Sequence, residues 1–166
     1  MSDGKPAKDI DEAVREYGDS LFRYCLVILG NVQDAQDAVQ ETFIRYIRKR
    51  PLFDNSEHEK AWLLKVAANR CKDMIRFRIS HQTVNIEEIS IMAKEKENTG
   101  IIDALMSLPE KLRSVLLLYY VEGYKTEEIA EMINRSPSAV KMRLMKGRAL
   151  LKEAYEREGN EWKQTR

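Results

Sequence analysis

Apolar positions recur at helical rather than alternating spacing through most of this chain. From Ile10 to Leu29 they fall at Val14, Tyr17, Leu21, Cys25 and Ile28, one face of a first helix that Gly30-Asn31 ends. From Val32 to Arg50 they return at Ala35, Val39, Thr42, Phe43, Tyr46 and Ile47, and Pro51 stops this second helix. Asp34, Asp37, Gln40, Glu41 and Arg45 occupy its other side. Leu52 to Asn55 reads as a loop. Ser56 and Glu59 then make a Ser-x-x-Glu capping box, opening a third helix through about Ser80. Leu63, Val66, Ala67, Cys71 and Ile75 face inward there. Lys65, Asn69, Lys72 and Arg76 form a polar, basic row headed by Trp62.

His81 to Thr99 shows no sustained period and has no large aromatic, which predicts a flexible linker over 81–98. A short helix starts near Thr99. Ser107 and Glu110 form a second capping box with Pro109 just inside, and Leu112, Val115, Leu116, Tyr119 and Tyr120 pack before Gly123 terminates the helix. Lys125 to Leu151 carries the densest signal. Thr126 can cap a helix with Glu127 and Glu128 in its first turn, and Ile129, Ala130 and Ile133 give it an apolar face. Asn134 tolerates the left-handed backbone of a sharp turn. Ser136 caps the next helix, with Pro137 at its first position, where a missing N–H costs nothing. Val140, Leu144 and Leu151 face inward, while Lys141, Met145, Arg148 and Lys152 make a row with Met142 and Lys146 beside it. Arg135 to Lys152 holds six basic residues and no acid. A short helix, a tight turn and a second helix with an apolar back and a basic front is a helix-turn-helix. A helical hairpin with a solvated basic face is the plainer alternative.

The predicted fold class is all-α: two small helical domains joined by a flexible linker, the second containing the helix-turn-helix. The boundaries run 9–80 and 99–158, with a disordered N-terminus over 1–8 and a frayed C-terminus over 159–166. Net charge is only +1, yet it is segregated: Asp9 to Glu41 is acid-rich, Lys65 to Arg78 and Arg135 to Lys152 are basic. Such asymmetry points to one polyanionic partner and one protein partner. No secretory leader pattern and no membrane-spanning apolar run is present, which predicts a cytoplasmic protein with no membrane insertion of its own. Cys25 and Cys71 sit within helical patterns and read as buried thiols. His58 and His81 have no ligand-spaced partners, so neither a metal site nor a cofactor is predicted.

Three stretches together carry a resemblance: DAQDAVQETFIRYIR at 34–48, WLLKVAANRCKDMIRFR at 62–78, and LPEKLRSVLLLYYVEGYKTEEIAEMINRSPSAVKMRLMKGRALL at 108–151. In this order, around a variable linker, they resemble the extracytoplasmic-function sigma factors, which give bacterial RNA polymerase its promoter choice. The resemblance implies a first domain that binds the −10 element and helps open the duplex, and a second that binds the −35 element. It implies no catalysis by the chain itself. Asp34, Asp37, Gln40 and Glu41 match the surface that docks on the β′ clamp helices, and the second domain's partner on the core enzyme is the β flap. Lys65, Lys72, Arg76 and Arg78 match positions along the −10 backbone, with Trp62 at the head of that row. Phe53 and Asn69 match positions that handle an exposed −10 base, whereas on the sequence alone Phe53 reads as a hydrophobic staple of the loop onto the third helix. Lys141, Met142, Met145 and Lys146 match the part of the recognition helix that meets the −35 major groove, and Ser136, Ser138 and Arg148 match phosphate contacts. An anti-sigma factor is the regulatory partner that the family implies.

Two departures stand out. Asn134-Arg135 replaces a common Gly-apolar pair at the turn, and Met142 and Met145 are apolar where hydrogen-bond readout would need polar groups. A conventional helix-turn-helix regulator that works without polymerase remains the alternative, although no spare amphipathic segment looks like a dimer seam. An enzyme acting on nucleic acid would need converging acids, a nucleophile or a Gly-rich phosphate loop, and none is apparent.

Overall fold

The computed structural model of the chain describes residues 4–78 and 99–157. Its elements in order are β1 (Lys5–Pro6), α1 (Ile10–Leu29), α2 (Val32–Lys49), β2 (Leu52–Phe53), α3 (Ser56–Arg78), α4 (Thr99–Met106), α5 (Glu110–Leu116), α6 (Thr126–Ile133) and α7 (Pro137–Arg157). The all-α expectation stands, apart from a two-residue antiparallel pairing of β1 with β2. The expected linker over 81–98 and the expected fraying over 159–166 lie outside the described residues.

The punctuation read from the sequence sets the helix ends. Gly30 closes α1 in the left-handed conformation (φ 78°), and the Asn31 side chain caps α2 by accepting the Asp34 N–H. Gly123 also has positive φ (77°). Two capping boxes are corrected. At α3 it is Asn55 that caps, its Oδ1 accepting the His58 N–H at 2.8 Å. Glu59 turns inward instead, as described below. At α5 Pro109 is the cap residue itself, and the Ser107 hydroxyl donates to the Ala104 carbonyl oxygen.

The α1–α3 core holds Tyr17, Leu21, Cys25, Phe43, Leu63, Leu64 and Cys71. Both cysteines are buried and free. The Cys71 thiol is pushed well above its ordinary pKa by its contact with Cys25 and by burial. Val14 and Ile47, expected inward, are exposed, and Ala13 takes the inward position on α1. In the second half Leu112, Val115, Leu118, Ile129, Ile133, Val140 and Leu144 form the core. A π-helical turn over Leu117–Val121 follows α5, with the Glu122 N–H reaching the Leu117 carbonyl. The extra residue rotates the chain by about one helical position, so Leu117 and Leu118 are buried and Tyr119 and Tyr120 are exposed, contrary to their expected packing. Gly147 of α7 lies against Leu116: a Cβ there would stand 3.2 Å from the Leu116 Cγ, so the absence of a side chain sets the approach of α7 to α5.

Residues 4–8, expected to be disordered, form a strap. Lys5 pairs with Phe53 and Pro6 with Leu52. The Lys8 N–H donates to Glu59 Oε1 at 3.0 Å, and the Lys8 ammonium pairs with Glu16. Glu59 is buried and also accepts from the phenols of Tyr17 (3.0 Å) and Tyr46. One carboxylate thus ties α1, α2, α3 and the strap together. The two halves of the chain also touch. Arg113 of α5 is buried and donates to Ile28 O at the C-terminal end of α1 (2.9 Å) and to Met106 O and Leu108 O (3.0 Å each). The helix end favours a cation, and α1 has none of its own in its last turn. Tyr24 Oη and Ser114 Oγ lie 2.7 Å apart across the same seam.

Candidate nucleic-acid interface

The helix-turn-helix is built locally. The Lys125 N–H donates to Glu128 Oε2 at 2.8 Å at the start of α6, so the cap position is Lys125 and Thr126 is the first helical residue. Ile129, Ala130, Met132 and Ile133 bury one face of α6. Asn134 takes φ 55°, and the Arg135 N–H reaches back to Ala130 O at 2.9 Å, closing the turn. Arg135 itself is exposed and its guanidinium donates to Asn134 O, so the turn needs no apolar plug from that position. Ser136 Oγ accepts the Ala139 N–H at 3.1 Å and caps α7 as expected.

With Val140, Leu144 and Gly147 buried, α7 turns its other side outward. Ser136, Ser138, Lys141, Met142, Met145, Lys146 and Arg148 are all exposed there, Met142 and Met145 at 60% and 55%. The two Met side chains are apolar, so at those positions this face offers methyl contact rather than hydrogen bonds. Arg148 is drawn aside: its Nη1 donates to the Tyr120 hydroxyl at 3.1 Å. Tyr120 was missed in the sequence because the π-helical turn that exposes it leaves no mark in the apolar spacing.

On α3, Asn69 and Arg76 are exposed, whereas Trp62, Lys65 and Lys72 are half-buried. The Lys72 ammonium donates to Ile133 O, the end of α6, at 2.6 Å. Burial lowers its pKa, and the nearby cations Arg135, Arg143, Arg76 and Lys111 lower it further. Phe53 is not open to solvent: it is 3% exposed, with Tyr46, Trp62 and His58 around it at centroid distances of 6.4, 5.9 and 5.5 Å. The expected base-handling pair is therefore one buried ring and one exposed amide. Asn69 lies seven residues beyond Trp62, about 10 Å along the helix.

On α2, Asp37 and Gln40 are exposed, and Asp34 and Glu41 are half-buried on the flank. Asp34 is engaged with the Asn31 amide, and Glu41 lies 3.7 Å from Arg45. The exposed stripe continues through Ile44 and Ile47, 40% and 46% exposed, so this face is acidic at its start and apolar at its end. Sequence reasoning missed Ile44 and misassigned Ile47. Among the described residues no group of acids, cysteines and histidines is placed to hold a metal ion.

Residues 13–78 match the family described as Sigma-70 region 2, and residues 99–151 that described as Sigma-70, region 4. The ECF RNA polymerase sigma factor SigW of Bacillus subtilis is 30% identical over 156 residues, covering 82% of this chain and 83% of that protein. The chain belongs to the ECF sigma factors of RNA polymerase. SigM of the same species, also an ECF sigma factor, is 29% identical over 161 residues, 92% of this chain and 98% of its own. Among solved structures, the sigma factor RpoE in complex with the anti-sigma factor NepR from Bartonella quintana matches with a TM-score of 0.70 at 18% identity, covering 90% of this chain and 98% of that one. CnrH in complex with the cytosolic domain of CnrY matches at 0.67 and 23% identity, covering 89% and 88%. These two likenesses carry the helical fold. No helix among the described residues of this sigma factor is long and apolar enough to cross a membrane.

Proposed function

We propose that this sigma factor binds core RNA polymerase and directs it to promoters as two functional domains, 9–80 and 99–158. The observation that carries this reading is the outward face of α7, free of acids from Pro137 to Lys152, held by a capped turn on the same chain as the basic row of α3. In this reading α7 enters the −35 major groove, with Lys141, Met142, Met145 and Lys146 central and Ser136, Ser138 and Arg148 flanking on phosphates. Lys65, Lys72, Arg76 and Arg78 follow the −10 backbone, where cations displace condensed counterions. Asn69 meets a base edge, and the Phe53–Trp62 aromatic cluster backs that site.

The α2 stripe docks on the β′ clamp helices: Asp37, Gln40 and their flanking carboxylates suit an Arg-rich surface, and Ile44 and Ile47 add an apolar contact. The C-terminal half meets the β flap. Phosphodiester chemistry stays with the polymerase. An anti-sigma factor is a further partner of this reading, as one solved structure of like fold is described in complex with one.

Run-off transcription from a genomic fragment library with purified core enzyme tests the proposal. Initiation at discrete sites only when the chain is added supports it. Specific DNA binding without core enzyme, and no effect on transcription start sites, is the outcome of a conventional helix-turn-helix regulator. Charge reversal at Asp37 and Glu41 together separates docking from folding: holoenzyme assembly is expected to weaken while thermal stability is kept.

A further inference from the structure

The loop between α2 and α3 carries Phe53 and is fastened at both ends. On the α3 side, Asn55 Oδ1 accepts the His58 N–H at 2.8 Å, and the Asp54 N–H donates to His58 Nδ1 at 3.3 Å. On the α2 side, the chain leaves the helix through Arg50 at φ 42°. A non-glycine residue keeps that left-handed backbone only where its surroundings fix it. Next to it lies the strap, with Lys5 paired to Phe53 and Pro6 to Leu52. So short a pairing does not hold itself, since even a whole isolated hairpin is marginal in water. Lys8 anchors it with every polar group it has. Its N–H donates to the buried Glu59 at 3.0 Å, its carbonyl accepts the Tyr46 phenol at 3.1 Å, and its ammonium pairs with Glu16 and reaches the Tyr17 hydroxyl at 3.3 Å. Gly4 sets the approach at the other end: a Cβ there would stand 2.9 Å from the Leu52 Cβ, closer than side chains pack.

The strap buries little apolar surface of its own. Lys5 and Pro6 are exposed, and of residues 4–8 Ala7 alone packs against the core. Its firm contacts go to the loop and to Glu59, which lies three residues before Trp62 and so neighbours it on α3. We propose that the strap is a positioning element for promoter opening: Lys8 and the strand pairing hold the loop and its aromatic cluster in the arrangement that receives the extruded −10 base. This rests on the reading of Phe53, Trp62 and Asn69 as the base-handling site. Residues 4–8 act through the loop and not on the DNA. A loop that keeps the receptive arrangement in about one tenth of the population weakens base capture about tenfold. The effect falls on strand opening and on base choice at the extruded position, and leaves −35 binding alone.

The test uses the full chain in holoenzyme. Lys8→Pro removes the N–H that Glu59 accepts, and Gly4→Val sets a branched side chain against Leu52. Circular dichroism checks that both remain folded at the assay temperature. Footprinting reads −35 occupancy, permanganate reactivity of −10 thymines reads opening, and promoters permuted at each −10 position read base choice. The expected result is parental core assembly and −35 occupancy, about tenfold less open complex, and a preference that flattens at one −10 position only. A third chain keeps Lys8→Pro and adds Gly4→Cys with Leu52→Cys, whose Cβ atoms are near enough for a disulfide after a small outward shift. Cys25 and Cys71 are buried and do not compete. Oxidation before assembly fastens the strap to the loop, and dithiothreitol frees it. Recovery of opening in the oxidised form alone supports positioning. Parental opening by both loosened chains, equal opening by the oxidised and reduced forms, or a parallel loss of core assembly overturns it. Asn69→Ala in the same assays separates this from failure of the underlying reading. If Asn69→Ala loses open complex and the loosened chains do not, the strap's role alone falls. If Asn69→Ala keeps parental opening and base choice, both fall.

Discussion

The Tyr46 phenol donates to the Glu59 carboxylate in the interior of the first half, and the Tyr17 phenol and the Lys8 N–H converge on the same group. Removing one donor leaves buried acceptor capacity unmet. Tyr46→Phe is expected to cost about 1–3 kcal/mol. Glu59→Ala leaves the Lys8 N–H without its acceptor and takes a shared partner from the Tyr17 and Tyr46 phenols, which keep Ser56 O and Lys8 O, and should cost at least as much. Because both changes break one shared bond, the double variant should lose less than the sum of the singles by at least about 0.5 kcal/mol in urea titrations. Additive losses would show that the two groups are not coupled.

Alkali should unfold the chain through its tyrosines. Burial raises the pKa of Tyr17, Tyr24, Tyr46 and Tyr124 above the ordinary 10.0. The folded state therefore holds these phenolic protons more tightly than the unfolded chain does. Their contribution is complete below about pH 10 and falls away as pH rises from there through the raised values. Urea midpoints measured at about pH 9 and pH 11 should differ, the higher pH giving the lower midpoint, with phenolate absorbance appearing together with unfolding. Absorbance that titrates near pH 10 in a chain still folded would contradict the burial argument.

Phe53 and Asn69 should separate cleanly. Phe53→Ala opens a hole among Tyr46, Trp62 and His58 and is expected to cost about 3–5 kcal/mol, where Asn69→Ala on the exposed face stays within about 0.5 kcal/mol. Asn69→Ala should instead lose open complex, read by permanganate reactivity of −10 thymines, while closed-complex occupancy persists. A destabilised Asn69→Ala, or a Phe53→Ala that melts like the parent chain, would reverse the assignment.

Lys141→Ala and Lys146→Ala on α7 should weaken −35 binding without unfolding the second half, since both side chains are exposed. Each lost phosphate contact lowers the log–log salt slope by about 0.9, and a lost base contact costs about 1–3 kcal/mol at one position only. Titrating promoter binding against salt distinguishes the two roles. Parental slopes and affinities for both variants would move the recognition surface elsewhere on α7.

The features legible in the sequence are those whose physics is local. Gly30-Asn31, Asn134 and Ser136 act within a few residues of themselves, so the breaks between α1 and α2 and between α6 and α7 follow from residue type alone. The exposed row of α7 follows from the burial of Val140 and Leu144. Glu59 shows where this stops. Its position relative to Ser56 fits a capping box, yet its partners Lys8 and Tyr17 are 51 and 42 residues away, and a buried carboxylate with three donors is more strongly held than a helix-end bond. The pairing of Phe53 with the strap is hidden for the same reason, since Lys5 is distant in sequence. Tyr119 and Tyr120 were misplaced because a single residue of π-helix shifts the phase of everything after it.

The buried pair Cys25 and Cys71 makes thiol chemistry a clock for this chain. Both sulfurs are sealed between α1 and α3, and the Cys71 proton is held more tightly than in a free thiol. A disulfide or maleimide reagent therefore finds no ready target while α1 and α3 stay packed. Its rate of attack reports how often that packing opens, with no label added. Separation of the two halves leaves the α1–α3 core shut and should leave this rate untouched. Reagents attached at cysteines introduced elsewhere will thus label only where they are put, and the native pair will answer a different question from any probe of the seam.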